Sequence, residues 1–314
     1  MMKKGVVRWS KRLARFLVSR VLRCGPIPKH VAFIMDGNRR WAERRRMMRQ
    51  EGHAYGFLQL KECLKWCLDL GIKVVTVYAF SLENFKRSAV EVETIMKLAE
   101  EKLNELAEER GFLDRHGIKV QILGDLDVLP QHVKAAACRA MKVSEHHEQA
   151  VLNICIAYTS REEMLRAVAN MAEAVEDGTL KPDDVTDELF SESLYTRPVS
   201  QVDLLVRTSG ETRLSDFLLW QSACACVQFQ PVLWPDFSLW HLASAILQYQ
   251  RSFSDLQATR RRSELNGREQ EEDRSVSVRK AEYLKRLEDR RKSFILRHAP
   301  PMTAGEQHGS KEHE

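Results

Sequence analysis

Six short apolar runs, separated by longer amphipathic stretches, set the strongest limit on how this chain can fold. The runs are rich in β-branched residues and most lack strict apolar/polar alternation, which is typical of strands buried on both faces. Helical stretches between such strands indicate parallel pairing. We therefore predict an α/β domain with a central, mostly parallel six-stranded sheet and helices on both faces. The predicted strands are 31–35, 73–80, 118–123, 151–157, 202–206 and 226–230.

Helix signals lie between these runs. An apolar stripe at helical spacing over residues 57–67 marks the buried face of one predicted helix. The spacings Ser88-x-x-Glu91 and Ser160-x-x-Glu163 fit capping boxes, which predict two further helix starts. Together with the strands, these signals predict helical crossovers throughout the domain.

The two ends of the chain differ from the middle in composition. Residues 1–30 carry nine Lys or Arg and no acid, and the sequence after about residue 254 is rich in Arg, Glu and Lys. We predict a basic amphipathic helix over 1–25, a catalytic domain over 26–253, a charged helical extension or arm over 254–297 and a disordered tail over 298–314.

The basic N-terminal helix leaves three interpretations open. It suits an anchor lying on anionic lipid, a helix packed on the domain, or an Arg-rich organelle transit peptide. A basic end can also meet nucleic acid, but no basic platform with interleaved aromatic residues supports this, so we predict no nucleic-acid partner. The longest apolar stretches fall far short of the roughly 18 residues that cross a bilayer, so we predict no membrane span.

Cysteine usage and motif absences narrow the function classes. The seven cysteines are odd in number and lack paired CxxC spacings, which indicates reduced thiols in a cytosolic setting. The chain has neither a G-x-x-x-x-G-K-[ST] phosphate loop nor a G-x-G-x-x-G dinucleotide turn. A single Asp-Asp-x-x-Asp pattern at 183–187 introduces an amphipathic segment, where we expect its acids to serve a helix N-terminus.

Three polar clusters follow predicted strands directly. The first is Asp36-Gly37-Asn38-Arg39-Arg40, and on its own it suits either a phosphate with its magnesium or a β-turn before a solvated basic helix. Because open α/β sheets bind ligands at the carboxyl ends of their strands, we expect all three clusters to share a site for phosphate-bearing ligands. The second comprises Ser81, Glu83, Asn84 and Arg87, and the third comprises Arg207 to Glu211 with Arg213 and Ser215.

These residues resemble a known family. The order and spacing of five motifs are similar to those of the cis-prenyltransferases over about residues 26–250, and most similar to the eukaryotic branch that makes dehydrodolichyl diphosphate. The motifs are His30–Trp41, Gly52-His53, Tyr78–Arg87, Asp203–Ser215 and Leu233–Phe237, with Tyr158–Arg161 and Phe217–Gln221 matching the eukaryotic branch.

The resemblance implies a reaction. That family adds isopentenyl diphosphate units to an allylic primer, usually farnesyl diphosphate, with Mg²⁺ as cofactor, and the eukaryotic branch thereby makes the dolichol precursor used in protein glycosylation. The alternative from another class is an inactive family member acting as a regulatory or scaffolding subunit. The resemblance favours the enzyme, because a scaffold has no need of eight residues that are all present here: Asp36, Arg39, Arg40, Asn84, Arg87, Arg207, Arg213 and Ser215.

The resemblance also implies a role for each motif residue. Asp36 would hold Mg²⁺ and take part in catalysis, with Asn84, Ser81 and His53 orienting the primer and substrate. The implied ligands of the primer diphosphate are Asp36, Gly37, Asn38, Arg39, Arg40 and Arg87. The implied ligands of isopentenyl diphosphate are Arg40, Arg87, Arg207, Arg213 and Ser215.

Two departures from the family pattern bear on partners. Cys226 stands where bacterial single-subunit members have a metal-site glutamate, and Arg297 is followed by His-Ala-Pro-Pro in place of the C-terminal Arg-x-Gly motif. In the eukaryotic branch a non-catalytic subunit of the Nogo-B receptor type supplies that motif and a membrane anchor. The resemblance therefore implies a heteromer, held peripherally on the cytosolic face of the endoplasmic reticulum membrane.

Overall fold

A parallel six-stranded sheet organises the domain. The computed structural model describes residues 15–108, 110–199, 201–267 and 274–299. Within them the strand order is β3-β4-β2-β1-β5-β6, and all five neighbouring pairs are parallel. The predicted α/β fold is confirmed, with each strand within two residues of its predicted bounds. The strands are β1 (His30–Ile34), β2 (Val74–Ser81), β3 (Ile118–Leu123), β4 (Ala150–Tyr158), β5 (Leu204–Arg207) and β6 (Cys226–Phe229).

Helices occupy most of the chain between and after the strands. No helix in the described ranges is both long enough and apolar enough to cross a membrane. Helix α1 is described over 15–22, and the others are α2 (Asn38–Arg44), α3 (Arg49–Leu70), α4 (Ala89–Glu108), α5 (Arg110–His116), α6 (Gln131–Val143), α7 (Ser160–Glu176), α8 (Asp187–Ser193), α9 (Leu239–Arg251), α10 (Phe253–Gly267) and α11 (Arg274–His298).

Both faces of the sheet are buried, as the unbroken apolar runs predict. In β1, Phe33 contacts a core shared with α3, α4, α6 and α9, while Ala32 and Ile34 contact a second core. Alternate side chains of a strand point to opposite faces, so a strand buried on both faces is apolar at most positions. The buried polar side chains inside this sheet bond to one another, since His30 and Asn153 both contact the Thr76 hydroxyl. Helices thus cover the first face, and the second core includes Tyr158 and Phe217.

Two local predictions are wrong. The β5–β6 connection has no α-helix, since residues 208–225 form turns and extended segments instead of the predicted helical crossover. Helix α7 is capped by Thr159, whose hydroxyl accepts a hydrogen bond from the Glu162 amide, one residue earlier than the predicted Ser160 cap. The Glu163 carboxylate is buried against Tyr158 and therefore does not close a capping box.

The charged C-terminal extension packs back on the domain and does not stand off as an arm. Tyr283 of α11 is 1% exposed in a cluster with α7 and α8. Arg260 of α10 forms an ion pair with Asp203, at 2.6 Å. The buried Asp184 of the Asp-rich pattern pairs with Arg279 and accepts a hydrogen bond from the Lys181 amide, so it is structural.

The N-terminal helix also contacts the domain. Leu22 is buried, and its carbonyl accepts a 2.7 Å hydrogen bond from Gln250. Phe16, Leu17 and Val21 nevertheless stay more than half exposed. The described part of the helix is thus packed on one face and apolar on the other. Residues 1–14 of the predicted N-terminal helix and 300–314 of the predicted tail lie outside the described residues.

Candidate active site

One cavity of about 1090 Å³ opens at the carboxyl edge of the sheet. It lies where the chain order reverses, since β2 pairs with one side of β1 and β5 with the other, which is where open α/β sheets bind ligands. The twelve residues to which the family resemblance assigns a role all line it. They are Asp36, Gly37, Asn38, Arg39, Arg40, His53, Ser81, Asn84, Arg87, Arg207, Arg213 and Ser215.

A partly buried ion pair joins the ends of β1 and β5 at the mouth of this cavity. The Arg207 guanidinium donates to Asp36 Oδ2 at 2.9 Å, and the Gly37 amide donates to Asp36 Oδ1 at 2.6 Å. Burial acts to raise the pKa of the Asp36 carboxyl, but the Arg207 charge and hydrogen bonds outweigh it and lower the pKa below 3.8. Asp36 is therefore ionised at neutral pH.

Arg207 is almost fully buried, at 3% exposure. Its remaining hydrogen bonds go to the Ser215 hydroxyl at 2.7 Å and to the Arg213 carbonyl. It thereby ties the loop after β5 to Asp36. The Arg213 side chain is 64% exposed and pairs with Glu211 at 2.5 Å, so it is the more accessible of the two cations.

The arginines at the cavity mouth are held by carboxylates and a hydroxyl. Glu91 Oε1 accepts hydrogen bonds from both Arg39, at 3.1 Å, and Arg87, at 2.9 Å. Arg40 donates to the Ser209 hydroxyl at 2.6 Å and lies 3.5 Å from Glu211. The Glu91 carboxylate therefore holds two arginines at the mouth, a contact that the predicted capping box did not anticipate.

The predicted catalytic residues of β2 and α3 lie at the same mouth. Ser81 and Asn84 fix the turn after β2, because the Ser81 amide donates to Asn84 Oδ1 at 3.2 Å and the Glu83 amide donates to Ser81 Oγ. Burial lowers the pKa of His53 below 6.5, and the nearby charges of Arg39 and Arg87 lower it further. His53 is therefore a neutral imidazole at pH 7.

Gly37, just before α2, and Gly52, in α3, allow close packing in the cavity wall. Gly37 has φ +100°, and a Cβ there would lie 2.7 Å from a Leu233 methyl. A Cβ on Gly52 would lie 2.2 Å from the Asn38 carbonyl oxygen. Asn38 itself turns inward and donates to the Met35 carbonyl at 3.3 Å, so its side chain is engaged with the protein.

The loop after β5 has an unusual backbone. Ser209, Ser215, Asp216 and Leu218 all have φ between +47° and +81°, a conformation that residues other than glycine seldom adopt. Tyr78 secures this loop by donating to the Ser215 carbonyl at 3.3 Å and stacking on Phe217. Such strain is held in place by the surrounding contacts and concentrates at functional sites.

Below the mouth the cavity becomes apolar. Helix α4 runs alongside it, and from Glu91 at the mouth to Leu106 is fifteen residues, or about 22 Å at 1.5 Å per residue. The cavity can therefore hold a long apolar chain with a charged head. Its apolar lining includes Phe57, Leu60, Val77, Phe80, Ile95, Leu98, Ala99, Leu103, Leu106, Ile154 and Ile156.

Cys226 does not contribute to this mouth. It is the first residue of β6, pairs in register with Leu204, and is 7% exposed. Arg207 lies three residues further along β5, about 10 Å away at the strand rise. The carboxylates that do line the cavity besides Asp36 are Glu43, Glu83, Glu211 and Asp216.

Comparison with known proteins identifies the family to which this chain belongs. The family model described as "Putative undecaprenyl diphosphate synthase" matches residues 34–255, more than two thirds of the chain. The chain belongs to this family of cis-prenyltransferases. The match begins in β1 and ends in α10, so it contains every residue of the cavity mouth.

Individual relatives agree with the family assignment. The chain is 48% identical over 240 residues to a dehydrodolichyl diphosphate synthase complex subunit of Homo sapiens, covering 76% of this chain and 72% of that protein. It is 42% identical to a geranylgeranyl-diphosphate-specific tritrans,polycis-undecaprenyl-diphosphate synthase of Pyrococcus abyssi, covering 71% and 83% of the two chains.

A solved structure supports the fold of the family. Lavandulyl diphosphate synthase from Lavandula x intermedia, in complex with dimethylallyl diphosphate, aligns with a TM-score of 0.67 and 35% identity. The alignment covers 71% of this chain and 95% of that one. The cis-prenyltransferase assignment therefore rests on sequence and on three-dimensional structure together.

The ion pair between Asp36 and Arg207 leads to a prediction about the pH dependence of stability. Replacing Asp36 by Ala should lower the free energy of unfolding at pH 7 by about 3 kcal/mol, because Arg207 is left buried without its carboxylate. The folded-state pKa of Asp36 is lowered, so its contribution exists above the unfolded pKa and is lost as pH falls through the folded value. The difference between wild type and variant should therefore shrink below about pH 4.

Urea denaturation from pH 3 to pH 7 measures this difference. Glu93→Ala is the matched control, because the Glu93–Lys97 pair is also a carboxylate–cation pair but both side chains are about two thirds exposed. It should have a much smaller effect at pH 7. A difference for Asp36→Ala that stays constant down to pH 3 would contradict the assigned ion pair.

Proposed function

We propose that this chain condenses isopentenyl diphosphate onto an allylic diphosphate primer to form dehydrodolichyl diphosphate, the dolichol precursor used in protein glycosylation. The observation that carries the proposal is one continuous cavity with an arginine-rich mouth and an apolar interior. A polyprenyl diphosphate has the same two parts. The name of the human relative, a dehydrodolichyl diphosphate synthase complex subunit, supports this product.

The primer diphosphate would lie against Arg39, Arg40 and Arg87. Breaking the allylic C–O bond leaves negative charge on the departing diphosphate, and guanidinium groups aimed at it stabilise that charge in a partly buried site. The three arginines come from two different strand ends and converge on one mouth. Gly37 brings the backbone of β1 close to the same place.

Isopentenyl diphosphate would bind on the β5 side of the mouth. Arg213 is exposed enough to swing from Glu211 to a phosphate, and the Ser215 hydroxyl lies beside it. Arg207 would act mainly by holding Asp36 and Ser215 in place, because its guanidinium already donates hydrogen bonds to both. Arg40 and Arg87 lie between the two substrates and could contact both diphosphates.

Asp36 is the residue that would hold Mg²⁺. Magnesium prefers oxygen ligands and is commonly bound by one or two carboxylates together with substrate phosphates. The ionised Asp36 carboxylate at a phosphate-sized mouth fits this donor set, and its side chain is 31% exposed. When bound, the ion would help to neutralise the charge of the leaving diphosphate.

Ser81, Asn84 and His53 would orient the reacting groups. The turn that Ser81 and Asn84 stabilise places them beside the arginines, and the neutral His53 offers a hydrogen-bond acceptor at the mouth. Their proposed contribution is to hold the double bond of isopentenyl diphosphate close to the allylic carbon, where proximity and orientation lower the barrier.

We propose farnesyl diphosphate as the primer. The apolar lining that continues below the mouth would leave room for chain growth beyond such a primer. The Pyrococcus abyssi relative is named as specific for geranylgeranyl diphosphate, so primer length is the property that requires direct testing.

We also propose that the chain works with a non-catalytic subunit of the Nogo-B receptor type that supplies an Arg-x-Gly motif. The human relative is named as a complex subunit. We propose that the partner docks on α7 and the segments beside it, because Leu165 is 71% exposed and Val168 is 51% exposed there. Val185 and Trp220 extend the same apolar groove.

Peripheral attachment to the cytosolic face of the endoplasmic reticulum membrane completes the proposal. The exposed face of α1 carries Phe16, Leu17 and Val21, with Arg20 beside them. Such a face suits the interface of an anionic bilayer. Vesicles of anionic lipid should pellet the full chain, and deletion of residues 1–24 should abolish pelleting; if the deleted chain still pellets, this attachment is wrong.

The central test is incorporation of labelled isopentenyl diphosphate with Mg²⁺. Farnesyl and geranylgeranyl diphosphate are compared as primers, for the chain alone and co-expressed with a Nogo-B-receptor-like subunit, and products are resolved by length. We expect long products from farnesyl diphosphate only with the partner. Products from the chain alone would refute the need for a partner, and no product in any combination would favour an inactive scaffolding subunit.

Arg87 and Lys86 provide a matched pair for the arginine mouth. Arg87→Gln should raise the KM for diphosphate substrates about 30-fold or more, because a charged hydrogen-bond partner contributes about 2 kcal/mol. Lys86→Gln removes the same charge one residue earlier, on a side chain that is 75% exposed and outside the cavity, and should leave KM unchanged. Equal effects of both substitutions would mean that only overall charge matters.

A further inference from the structure

A second cluster of possible metal ligands lies at the opposite edge of the sheet. Asp114 of α5 and His146 and His147, in the turn between α6 and β4, place one ligand atom each within 4.8 Å of one another. They lie before the first residues of β3 and β4, whereas Asp36 follows the last residue of β1. Because β4 has nine residues, the two edges are roughly 26 Å apart.

His147 has the arrangement of a metal-binding histidine. It is 8% exposed, and its Nδ1 lies 2.9 Å from the Ile118 carbonyl oxygen. A carbonyl oxygen can only accept, so Nδ1 carries the proton and, in the neutral ring, Nε2 has a free lone pair. A histidine that ligates a metal typically donates its other ring N–H to a backbone carbonyl in this way.

The geometry around Nε2 calls for a cation. His147 Nε2 lies 3.2 Å from Asp114 Oδ1, so two electron-pair donors face each other. Zinc–nitrogen and zinc–oxygen bonds of 2.0–2.2 Å at a tetrahedral angle separate two such ligand atoms by about 3.3–3.6 Å. The observed distance is close to the short end of this range, so the two atoms can form one edge of a zinc tetrahedron after a small adjustment.

His146 distinguishes a metal from a shared proton. A proton between His147 and Asp114 needs only those two groups, whereas a metal needs at least one more ligand. The His146 ring stands with its centroid 4.1 Å from that of His147, and its nitrogen is the third member of the cluster. It is exposed, so a rotation of its side chain can shorten the remaining distances without disturbing the core.

We propose that Asp114, His146 and His147 form a binding site for Zn²⁺ or a similar borderline transition-metal ion, separate from the prenyl-transfer site. Two imidazoles and one carboxylate suit zinc and not Mg²⁺, which prefers oxygen ligands. The fourth position would be filled by water. The bound ion would join α5 to the turn before β4 and so stabilise the amino edge of the sheet.

The test is calorimetric titration of tag-free full-length chain with Zn²⁺, in excess Mg²⁺ to occupy carboxylate sites that prefer it. We expect one binding event that weakens at least tenfold in His146→Ala and in Asp114→Asn, since loss of even an outer partner of a metal ligand costs that much. His132→Ala is the control, because His132 is an exposed histidine that also lies near a carboxylate, Glu100. It should bind zinc as the wild type does.

Two further measurements separate this site from other zinc-binding groups. Co²⁺ in place of Zn²⁺ should give the intense visible absorption of a tetrahedral ion in the wild type and in His132→Ala only. Saturating Zn²⁺ should raise the melting temperature by several degrees, because an ion that binds only the folded state stabilises it. The surface variant His146→Ala keeps the buried His147 contacts, so its failure to fold is not expected.

The outcomes decide the proposal. Zinc binding that is unchanged in His146→Ala and Asp114→Asn would place the ion elsewhere, for example on His308 or His313, and overturn the site. Absence of a binding event would overturn it as well. Because the site lies at the far edge of the sheet, either result leaves prenyl transfer as a separate question.

Discussion

The ion pair between Asp36 and Arg207 is the interaction on which the rest of the site depends. It joins the end of β1 to the end of β5, the two strands on either side of the point where the chain order reverses. Arg207 is almost fully buried, so its charge requires a partner, and Asp36 supplies it. The same pair also keeps Asp36 ionised and orients the loop that carries Arg213 and Ser215.

The parallel sheet explains why one cavity has a charged mouth and an apolar interior. Strands buried on both faces are mostly apolar, so β2 and β4 present Val77, Phe80 and Ile154 to the cavity interior. The charged clusters lie where strands end, and parallel strands end at the same edge. The parallel arrangement of the strands therefore explains why a charged mouth lies above an apolar interior, whichever residues take part in catalysis.

Much of this could be predicted from the sequence because the signals are local. A strand buried on both faces appears in the sequence as an apolar run, and the residue after the run must lie at a sheet edge. The position of Asp36 could therefore be predicted from the five apolar residues that precede it. The dual contact of Glu91 did not, because it depends on how α4 packs against α2. The irregular β5–β6 connection also escaped prediction, since its left-handed residues, such as Ser209 and Ser215, are not glycines.

The carboxylates at the mouth turn substrate binding into an exchange of partners. Arg39 and Arg87 share one oxygen of Glu91, and Arg213 binds Glu211. Each of these three arginines is therefore paired with a carboxylate before a substrate binds. A diphosphate carries more charge than a carboxylate and offers more oxygens, so it can replace these contacts with stronger ones. The net affinity is the difference between two sets of charged hydrogen bonds. Such a mouth stays folded without ligand and still favours a diphosphate over a singly charged group.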